Sequence, residues 1–546
     1  MTRKRKRGNL AAIGGLTAVT ALLTGFTAAR ADELADLRAN QQLLQQRIDQ
    51  LAQAQAQAAG PTPSVSPAYG TTAVPGTGMV GGNFPRSFLI PGTDTSIRVG
   101  GFADLTIDYY LQNGPPNNVQ STTVGINGNL TTQPLFVGRG QTVPGYPTAG
   151  NLVPVQIGSS RGNGVFLESP RESRLNVETR TPTAYGEART FIEFDFAGTN
   201  NFSAGGQSGQ TNVSDNLIPR LRYAYGTLGG FLAGQANSNF EDSDANPETL
   251  DFGGPAGEAG VVRIPQVRYT LGGPYGSAFS VSAETPETDI FTPAGKITSD
   301  STNQVVNTTA GLVPASNGGT GSCVANGLLV PNAAGCTLAA NPTKASAPDV
   351  TFSSYFSQPW GHVDARFVVR PTLQINDGRY VNQRFVGYGG GLSGDVKPGW
   401  FGWSKDDFQW QFTVGNGIGR YINDSTDAGL ATNYLVTPAT ATAAAAIIVK
   451  PVLEAGGTVG YQHWWLPNVR SNLVYGFAMY DIASQLIGPV ESTVANRQLQ
   501  TIHANVIWSP VAFIDTGVEY MWGQRRVVAN IYGQEQAIIG KFRVKF

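Results

Sequence analysis

Apolar and polar residues alternate along most of the chain, from Phe88 to its end. In 174–180 the even positions are charged or polar, and in 187–196 the odd positions carry nearly all of the charge. The same period of two runs through 362–370 and 514–522. A period of two is typical of β-strands, because successive side chains point to opposite faces of a sheet. The pattern therefore predicts an all-β protein with no helical segment in this part of the chain.

A soluble β-sandwich alternates in the same way, with its apolar face as the core and its charged face in water. Two features favour a barrel that spans a membrane. The repeat continues for too long for one sandwich, and tryptophans fall near the ends of predicted strands, where the aromatic girdles of a membrane barrel lie. These tryptophans are Trp400, Trp403, Trp410, Trp464, Trp465, Trp508 and Trp522. We predict an antiparallel transmembrane β-barrel over residues 87–546.

Composition agrees with a membrane barrel. Charged residues make up 14% of the chain and there are 68 glycines. An apolar outer band lowers the charged fraction, and many turns raise the glycine content. A net charge of −1 without a basic stripe gives no indication of a nucleic-acid partner. No residue pattern calls for a cofactor, and the two cysteines have no histidine near them that would suggest a metal site.

The final strand gives the most specific local signal. Its residues alternate to the end of the chain, with Lys541, Arg543 and Lys545 on one side and Phe542, Val544 and Phe546 on the other. A terminal aromatic residue on an amphipathic strand suits the signal that barrel-assembly machinery reads. This predicts insertion into a bacterial outer membrane, beside its lipid and lipopolysaccharide, with Phe546 as the assembly signal.

The first 31 residues have the features of a signal peptide. A basic run at 3–7 precedes an apolar stretch at 10–28, and Ala29-Arg30-Ala31 fits a cleavage site. The alternative is a transmembrane anchor, because the apolar stretch approaches the ~20 residues that a spanning helix needs. Small residues at its end favour cleavage, which predicts export.

Residues 32–57 follow a helical pattern. Leu34, Leu37, Leu44, Ile48 and Leu51 recur at spacings of three and four, which predicts a short periplasmic coiled coil. The alternative is a lone amphipathic helix, which would be marginal at this length. A linker rich in Pro, Gly, Ser and Thr follows over 58–86.

Cys323 and Cys336 lie close together in a stretch rich in Gly, Ser and Asn. In an exported chain this spacing favours a disulfide that closes a loop.

Four stretches resemble the DcaP-like trimeric outer-membrane porins, a family with an N-terminal periplasmic coiled coil. They are 87–98 (SFLIPGTDTSIR), 173–187 (SRLNVETRTPTAYGE), 234–269 with its PETLDFGGP and RIPQVRY motifs, and 507–523 with its IWSP and GVEYMWG motifs. The resemblance implies a 16-stranded barrel, a homotrimer and passage of small anionic solutes such as dicarboxylates. Hairpin spacing alone leaves 18 strands open. The chain departs from the family pattern in 292–348 and 425–446, which puts the solute in doubt.

A diffusion channel selects solutes by fixed charges that face a narrow lumen. Arginine suits this role because it stays charged and binds carboxylates through two parallel hydrogen bonds. Alternation places a row of charged residues on the inward face, and we expect about half of its arginines to contact solute. The predicted pore-lining residues are Arg174, Glu178, Arg180, Glu187, Arg189, Glu193, Arg220, Arg222, Arg263, Arg268, Arg366 and Arg370. The alternative role for this row is structural, as arginine–glutamate pairs such as Arg174/Glu178 and Arg189/Glu193 that stiffen the wall.

An acidic, Pro- and Gly-rich segment follows a predicted strand and precedes Arg263. Its acidic residues are Glu241, Asp242, Asp244, Glu248 and Asp251. We interpret it as a constriction loop that folds into the barrel, an arrangement that the resemblance also implies. The alternative is a solvated external loop. An arginine-rich lumen with this loop predicts mild anion selectivity.

Other functions have weaker support. An outer-membrane barrel enzyme would need a base, and only His362, His463 and His503 are available, with no serine in a recognisable nucleophile context. An adhesive or cell-wall-bridging role is disfavoured because the helix is short and starts directly after the signal. A carbohydrate or general porin is the alternative within the channel class. Most of its candidate tyrosines fall on the predicted lipid face: Tyr109, Tyr110, Tyr223, Tyr225, Tyr269 and Tyr380.

Overall fold

In this computed structural model the described residues are 80–114, 163–198, 218–259, 262–288, 290–292, 295–297, 324–325, 328–329, 343–376, 382–423, 429–432, 448–483, 486, 495–528, 530 and 532–546. The predicted signal peptide, the coiled coil, most of the linker, Tyr380 and both cysteines lie outside this part of the chain. Among the described residues, no helix has the length and apolar character needed to cross a membrane.

Sixteen antiparallel strands form one closed barrel, which confirms the predicted fold class and strand number. The strands are β1 (Ser96–Gln112), β2 (Val165–Ser169 and Arg174–Thr183), β3 (Gly186–Gly198), β4 (Ile218–Leu228), β5 (Phe231–Asn237), β6 (Arg263–Gly272), β7 (Ser277–Glu284), β8 (Asp349–Gln358), β9 (Gly361–Asn376), β10 (Asn382–Val396), β11 (Asp407–Asn416), β12 (Leu453–Leu466), β13 (Val469–Asp481), β14 (Asn496–Val511), β15 (Ile514–Val527) and β16 (Tyr532–Lys545). Closure comes from β16, which pairs with β1. Phe546 continues this pairing through two backbone hydrogen bonds with Gly101.

Along the strands, apolar side chains mostly face outward and polar side chains mostly face the interior of the barrel. On β15, for example, Val518 is 59% exposed on the outer face while the neighbouring Glu519 is fully buried. On β16, Phe542 is 48% exposed and Lys541 is buried. An apolar outer band is what hydrocarbon requires of a spanning barrel, because lipid offers no hydrogen bonds to polar groups.

The two ends of the barrel differ in their connections. At one end, which we call the short-turn end, the strands are joined by tight turns such as 184–185, 229–230, 467–468 and 512–513, and by the longer turn 397–406. Both termini of the barrel also lie at this end. The strand ends that flank residues 113–164, 199–217, 285–348 and 417–452 lie at the other end. In bacterial barrels short turns face the periplasm and long loops face outward.

Several short elements accompany the barrel. Val80–Gly81 pairs with Phe88–Leu89, which pairs with β1, so residues 80–86 of the predicted linker are part of a hairpin at the short-turn end. The strands Ile290–Thr292, Gly295–Ile297, Leu430–Thr432 and Val449–Pro451 form a small second sheet. Thr343–Lys344 pairs with β9, and Val324–Ala325 pairs with Leu328–Leu329. Short 3-10 helices occupy Ser243–Ala245, Pro274–Gly276, Trp400–Gly402 and Gly419–Tyr421.

Candidate functional site: the pore lining and the inward loop

The connection between β5 and β6 folds into the barrel. We call residues 238–259 the inward loop. Its Leu250 and Asp251 amides donate to the carboxylate of Glu519 on β15, at 2.7 and 3.3 Å. The Ala256 amide donates to Thr501 Oγ1 on β14 at 3.0 Å. These acceptors lie on the inner face of the wall, far around the barrel from β5, so the loop crosses the lumen.

Glycine allows the loop to lie flat on the wall. Gly257 has a φ of +79°, and a Cβ at this position would stand 1.7 Å from the carbonyl oxygen of Phe477 on β13. Both the positive φ and the close approach exclude a side chain. The Gly257 amide donates to Asn423, and Ala259 makes a bridge to Ile422, so a second connection holds this part of the loop.

The base of the loop is held by a buried carboxylate. Asp242 accepts hydrogen bonds from Ser393 Oγ at 2.5 Å, and His362 Nε2 lies 2.9 Å from the same oxygen. The other ring nitrogen of His362 contacts Asp395. Burial alone would raise the pKa of Asp242, but the hydrogen bonds from His362 and Ser393 hold it below its usual range. Asp242 is therefore a charged anchor and faces the wall.

The other acidic residues of the loop are also engaged. Glu248 binds Arg470 through two hydrogen bonds of 2.6 Å. Asp244 is exposed and accepts from Tyr355 Oη at 3.0 Å. Asp251 is buried. The loop folds inward as the sequence predicts, but most of its carboxylates attach it to the wall, so its acidic character at the lumen surface is smaller than the sequence suggests.

Two further carboxyl groups of the loop are buried close together. Burial raises the pKa of Glu258 to about 8. Burial and the nearby Glu258 carboxyl raise the pKa of Glu241 well above its usual range. Both groups are held in a setting that favours their neutral form.

The barrel wall opposite the residues that anchor the inward loop carries a row of arginine side chains. Near the short-turn end, Glu178 is 1% exposed and lies within 2.8 Å of the guanidinium groups of Arg98, Arg180 and Arg189. Those three side chains are 24–33% exposed. Glu187, 45% exposed, contacts Arg180 at 3.5 Å. Arg98 was not among the predicted pore residues. It lies between the outward-facing Ile97 and Val99, so the same alternation pattern would have predicted that it faces inward.

A second arginine cluster lies farther along the same wall. Asp195 contacts Arg220 at 2.6 Å and Arg222 at 2.8 Å. Glu193 contacts Arg222 at 3.0 Å and Arg174 at 3.6 Å. Both carboxylates are at most 9% exposed, whereas Arg174 and Arg220 are 25% and 34% exposed.

The predicted pairs Arg174/Glu178 and Arg189/Glu193 are wrong. Arg174 contacts Glu193, and Arg189 contacts Glu178. Residues four apart on one strand are separated by roughly 13 Å, whereas residues on neighbouring strands approach within about 5 Å. The β2–β3 register sets Arg180 opposite Arg189, which brings Glu178 diagonally to Arg189.

The prediction that Arg366 and Arg370 line the pore is also wrong. They are 4% and 0% exposed. Arg366 donates to the carbonyl of Phe240 in the inward loop at 2.7 Å, and Arg370 contacts Asp349 at 3.1 Å. The inward loop and the connection after β11 cover this part of β9, which alternation along one strand does not reveal.

Arg263 and Arg268 occupy different settings. Arg268 shares the inner face of β6 with Gln266, beside Tyr225 and Glu284. Its side chain makes no hydrogen bond or ion pair with any described residue. Arg263 is the first residue of β6, opposite Asn237, and lies near Glu241 and Arg222.

An aromatic cluster inside the barrel corrects the predicted positions of two tyrosines. Tyr223 and Tyr225 were expected on the lipid face, but each has its ring centroid 5.8 Å from that of Phe191 on the inner face of β3. In the β3–β4 register Glu193 pairs with Tyr223 and Phe194 pairs with Leu221, so Arg222 is the extra residue. This bulge inserts one residue and reverses the faces of the rest of β4. Arg189 lies 5.8 Å from the Tyr225 ring.

The inward loop reaches the arginine wall through Phe252. The ring centroid of Phe252 lies 5.8 Å from the Arg220 guanidinium carbon and 6.0 Å from that of Arg222. The loop is thus anchored on β9–β15 and touches β4 across the lumen. The wall that the loop touches carries Arg220 and Arg222, whose carboxylate partner Asp195 is buried.

The three histidines make structural contacts. His362 holds Asp242, as described above, and His503 Nδ1 lies 2.8 Å from Glu519, which carries the loop at Leu250. His463 faces the outside of the barrel and contacts Asp406 at 2.7 Å. Each histidine is therefore bound to a carboxylate.

Comparisons with known proteins agree with this architecture. A family model described as Porin subfamily matches residues 157–365. No curated protein sequence matches the chain. The outer membrane channel DcaP of Acinetobacter baumannii aligns with a TM-score of 0.56 and 20% identity, over 84% of this chain and 99% of that one. An anion-selective porin from Comamonas acidovorans aligns with a TM-score of 0.42 and 8% identity, over 83% and 100%.

The fold is that of a porin-type β-barrel, and the Porin subfamily model matches part of the chain, residues 157–365. Within that class, the likeness to DcaP shows a shared fold, and the resemblance to DcaP-like porins predicted from the sequence is confirmed at that level.

Proposed function

We propose that this protein is a bacterial outer-membrane porin through which small hydrophilic solutes diffuse, with a mild preference for anions. The observation that carries the proposal is the asymmetry of the arginine wall. Arg180, Arg189 and Arg220 are each about a third exposed, while Glu178 and Asp195 behind them are at most 1% exposed. A passing solute therefore meets guanidinium groups and not carboxylates.

Dicarboxylates are the proposed solutes. Two carboxylates of one small molecule can each accept paired hydrogen bonds from a guanidinium group. Arg268, with no partner among the described residues, offers such a contact without displacing a wall carboxylate.

The selectivity is measured from reversal potentials of the purified protein in planar bilayers across a salt gradient. We expect the potential to have the sign of an anion-preferring pore, with a small magnitude. A clear cation preference would overturn the proposal.

A carbohydrate porin is the second candidate, and one observation favours it. Phe191, Tyr223 and Tyr225 present aromatic rings inside the barrel, and aromatic faces bind sugars through their C–H groups. Swelling of protein-containing liposomes in isosmotic succinate, sugar or amine solutions separates the two functions. Faster swelling in succinate supports the anion porin, whereas faster swelling in sugar supports this second candidate.

For the assembly we propose a homotrimer. Residues 32–57 would form a periplasmic coiled coil after removal of 1–31, and Phe546 would serve barrel-assembly machinery. Lipopolysaccharide would surround the end of the barrel that carries the long loops. The seven-residue spacing in 32–57 and the aromatic terminus of β16 support this arrangement.

A further inference from the structure

A polar cluster lies on the outer surface of the barrel near the short-turn end. Asp406, the residue before β11, is 1% exposed and accepts hydrogen bonds from Tyr461 Oη at 2.6 Å and from the Trp464 amide at 3.1 Å. His463 Nδ1 lies 2.7 Å from the same carboxylate. Tyr461 and His463 flank Gln462, which binds Glu248 inside the lumen, so they face outward. Burial opposes the charge of Asp406, but hydrogen bonds from Tyr461 and His463 keep its pKa low.

Next to this cluster a groove of about 710 Å³ opens on the outer face of β12–β15. The small side chains of Ser471 and Ala504 line it between the much larger Trp465 and Tyr520. Around it the outer face is apolar, with Leu473 at 60% and Val518 at 59% exposure. The groove is therefore a hollow in the surface that faces hydrocarbon.

Two polar groups in the groove lack complete hydrogen bonding. The His463 ring stands between Trp403 and Trp465, with ring centroids 4.6 and 4.3 Å away. With Nδ1 on Asp406, its Nε2 has no partner among the described residues. Ser471 Oγ accepts from Trp465 Nε1 at 2.9 Å, and its own proton has no acceptor in the described part of the chain. Such groups are costly against hydrocarbon alone.

The groove continues into a smaller cavity of about 240 Å³ at the rim, since both cavities are lined by Trp403 and Trp465. The smaller cavity adds Ser404 and the exposed Lys405. Trp400, 59% exposed, and the neighbouring Phe401 mark this rim as an aromatic girdle, the level at which lipid headgroups lie. An apolar groove thus leads past polar side chains to a cation at headgroup depth.

We propose that this paired cavity binds one glycerophospholipid of the periplasmic leaflet. An acyl chain fills the groove, an ester carbonyl accepts from His463 or Ser471, and the phosphate contacts Lys405. A glycerophospholipid carries an acyl chain, an ester carbonyl and a phosphate in the same order in which the surface presents the apolar groove, the polar side chains and Lys405. Lipopolysaccharide does not fit, because the site is at the short-turn end, away from the outer leaflet. The inference rests on the proposed outer-membrane location.

The test measures lipid retention by the purified full chain in detergent containing 1-palmitoyl-2-oleoyl-phosphatidylglycerol, by native mass spectrometry. Ala504→Trp fills the groove, and His463→Leu removes its polar side chain. Both should reduce bound lipid several-fold. Ala103→Trp, an equally outward change on β1, should not. Lys405→Gln should weaken retention of phosphatidylglycerol but not of the matching diacylglycerol, and Lys397→Gln at the same rim should change neither.

Equal retention in the wild type and Ala504→Trp would overturn the proposal, as would equal loss in Ala504→Trp and Ala103→Trp. Loss of the oligomer in Ala504→Trp without loss of lipid would identify a second copy of the chain as the occupant, which also overturns it. Single-channel conductance of the same variants should stay unchanged. A wild type that forms no channel yet retains lipid at this site would contradict the proposed function alone.

Discussion

At the scale of single residues, the lumen owes its character to which member of each ion pair is buried. Glu178 is 1% exposed beneath three guanidinium groups, and Asp195 is fully buried beneath two. A short carboxylate reaches only to the barrel wall, whereas an arginine extends past it into the lumen. The buried carboxylates fix the arginines in place through charge-assisted hydrogen bonds. Pairing therefore orients positive charge toward the lumen.

Arg268 gives the cleanest test of this arrangement, because no described residue pairs with it. Arg268→Gln removes one lumen charge and leaves no carboxylate unpaired, so folding should be unaffected. We expect the anion-to-cation permeability ratio to fall by roughly a factor of two, since a fixed charge acts strongly in a narrow low-dielectric lumen. The matched control is Arg384→Gln on the outer face of β10, which should leave reversal potentials unchanged. An unchanged ratio in Arg268→Gln would show that solutes do not pass β6.

At the scale of elements, the inward loop and one strand irregularity shape the pore. The acidic, Pro- and Gly-rich composition of the segment, together with the resemblance to DcaP-like porins, favours an inward loop over a solvated external one. The residues of the wall that hold the loop cannot be predicted in the same way. The Leu250 amide and Glu519 are 269 positions apart in the chain and meet only in the closed barrel. The bulge in β4 cannot be predicted from the sequence either. Tyr223 and Tyr225 continue the apolar alternation of the strand, and a single inserted residue moves them to the opposite face of the sheet.

The loop should respond to alkaline pH through Glu258. Its pKa in the folded protein, about 8, is above the usual carboxyl value, so the folded state holds its proton more tightly than the unfolded chain does. Its contribution to loop stability is therefore complete at acidic pH and declines as pH rises through about 8. Above that pH a buried charge near Glu241 should loosen the loop.

Single-channel recordings from pH 6 to 9 give the measurement. We expect open-channel noise and brief closures to increase with pH in the wild type, and Glu258→Gln to keep the quiet behaviour at every pH. Glu187→Gln is the control, because that carboxylate is 45% exposed on the wall and outside the loop. Identical pH dependence in the wild type and Glu258→Gln would exclude Glu258 as the titrating group.

At the scale of the whole molecule, alternation along the sequence predicts the barrel, and the resemblance to DcaP-like porins supplies the number of strands. Alternation is a local property of each strand. The two faces of a segment such as Phe542-Arg543-Val544-Lys545 can therefore be predicted without knowing which strands lie beside it. Exposure inside the lumen is a property of the assembled barrel. Arg366 and Arg189 have the same alternation signal, yet the inward loop covers Arg366 and leaves Arg189 33% exposed. This is why alternation identifies the inward face of a strand but does not identify which inward arginines stay exposed to the lumen.

The proposed trimer leads to the last prediction. Leu34, Leu37, Leu44, Ile48 and Leu51 supply a hydrophobic seam that one helix cannot bury alone. Deleting 32–57 should lower the temperature at which trimers dissociate in gel electrophoresis by several degrees and leave single-channel conductance nearly unchanged, because the seam lies outside the barrel sequence. Gln41 and Gln55 continue the same spacing at predicted core positions. Replacing them by leucine should raise that temperature, since polar core residues weaken a coiled coil. A large fall in conductance after the deletion would show that this segment gates the pore and does not simply hold the subunits together.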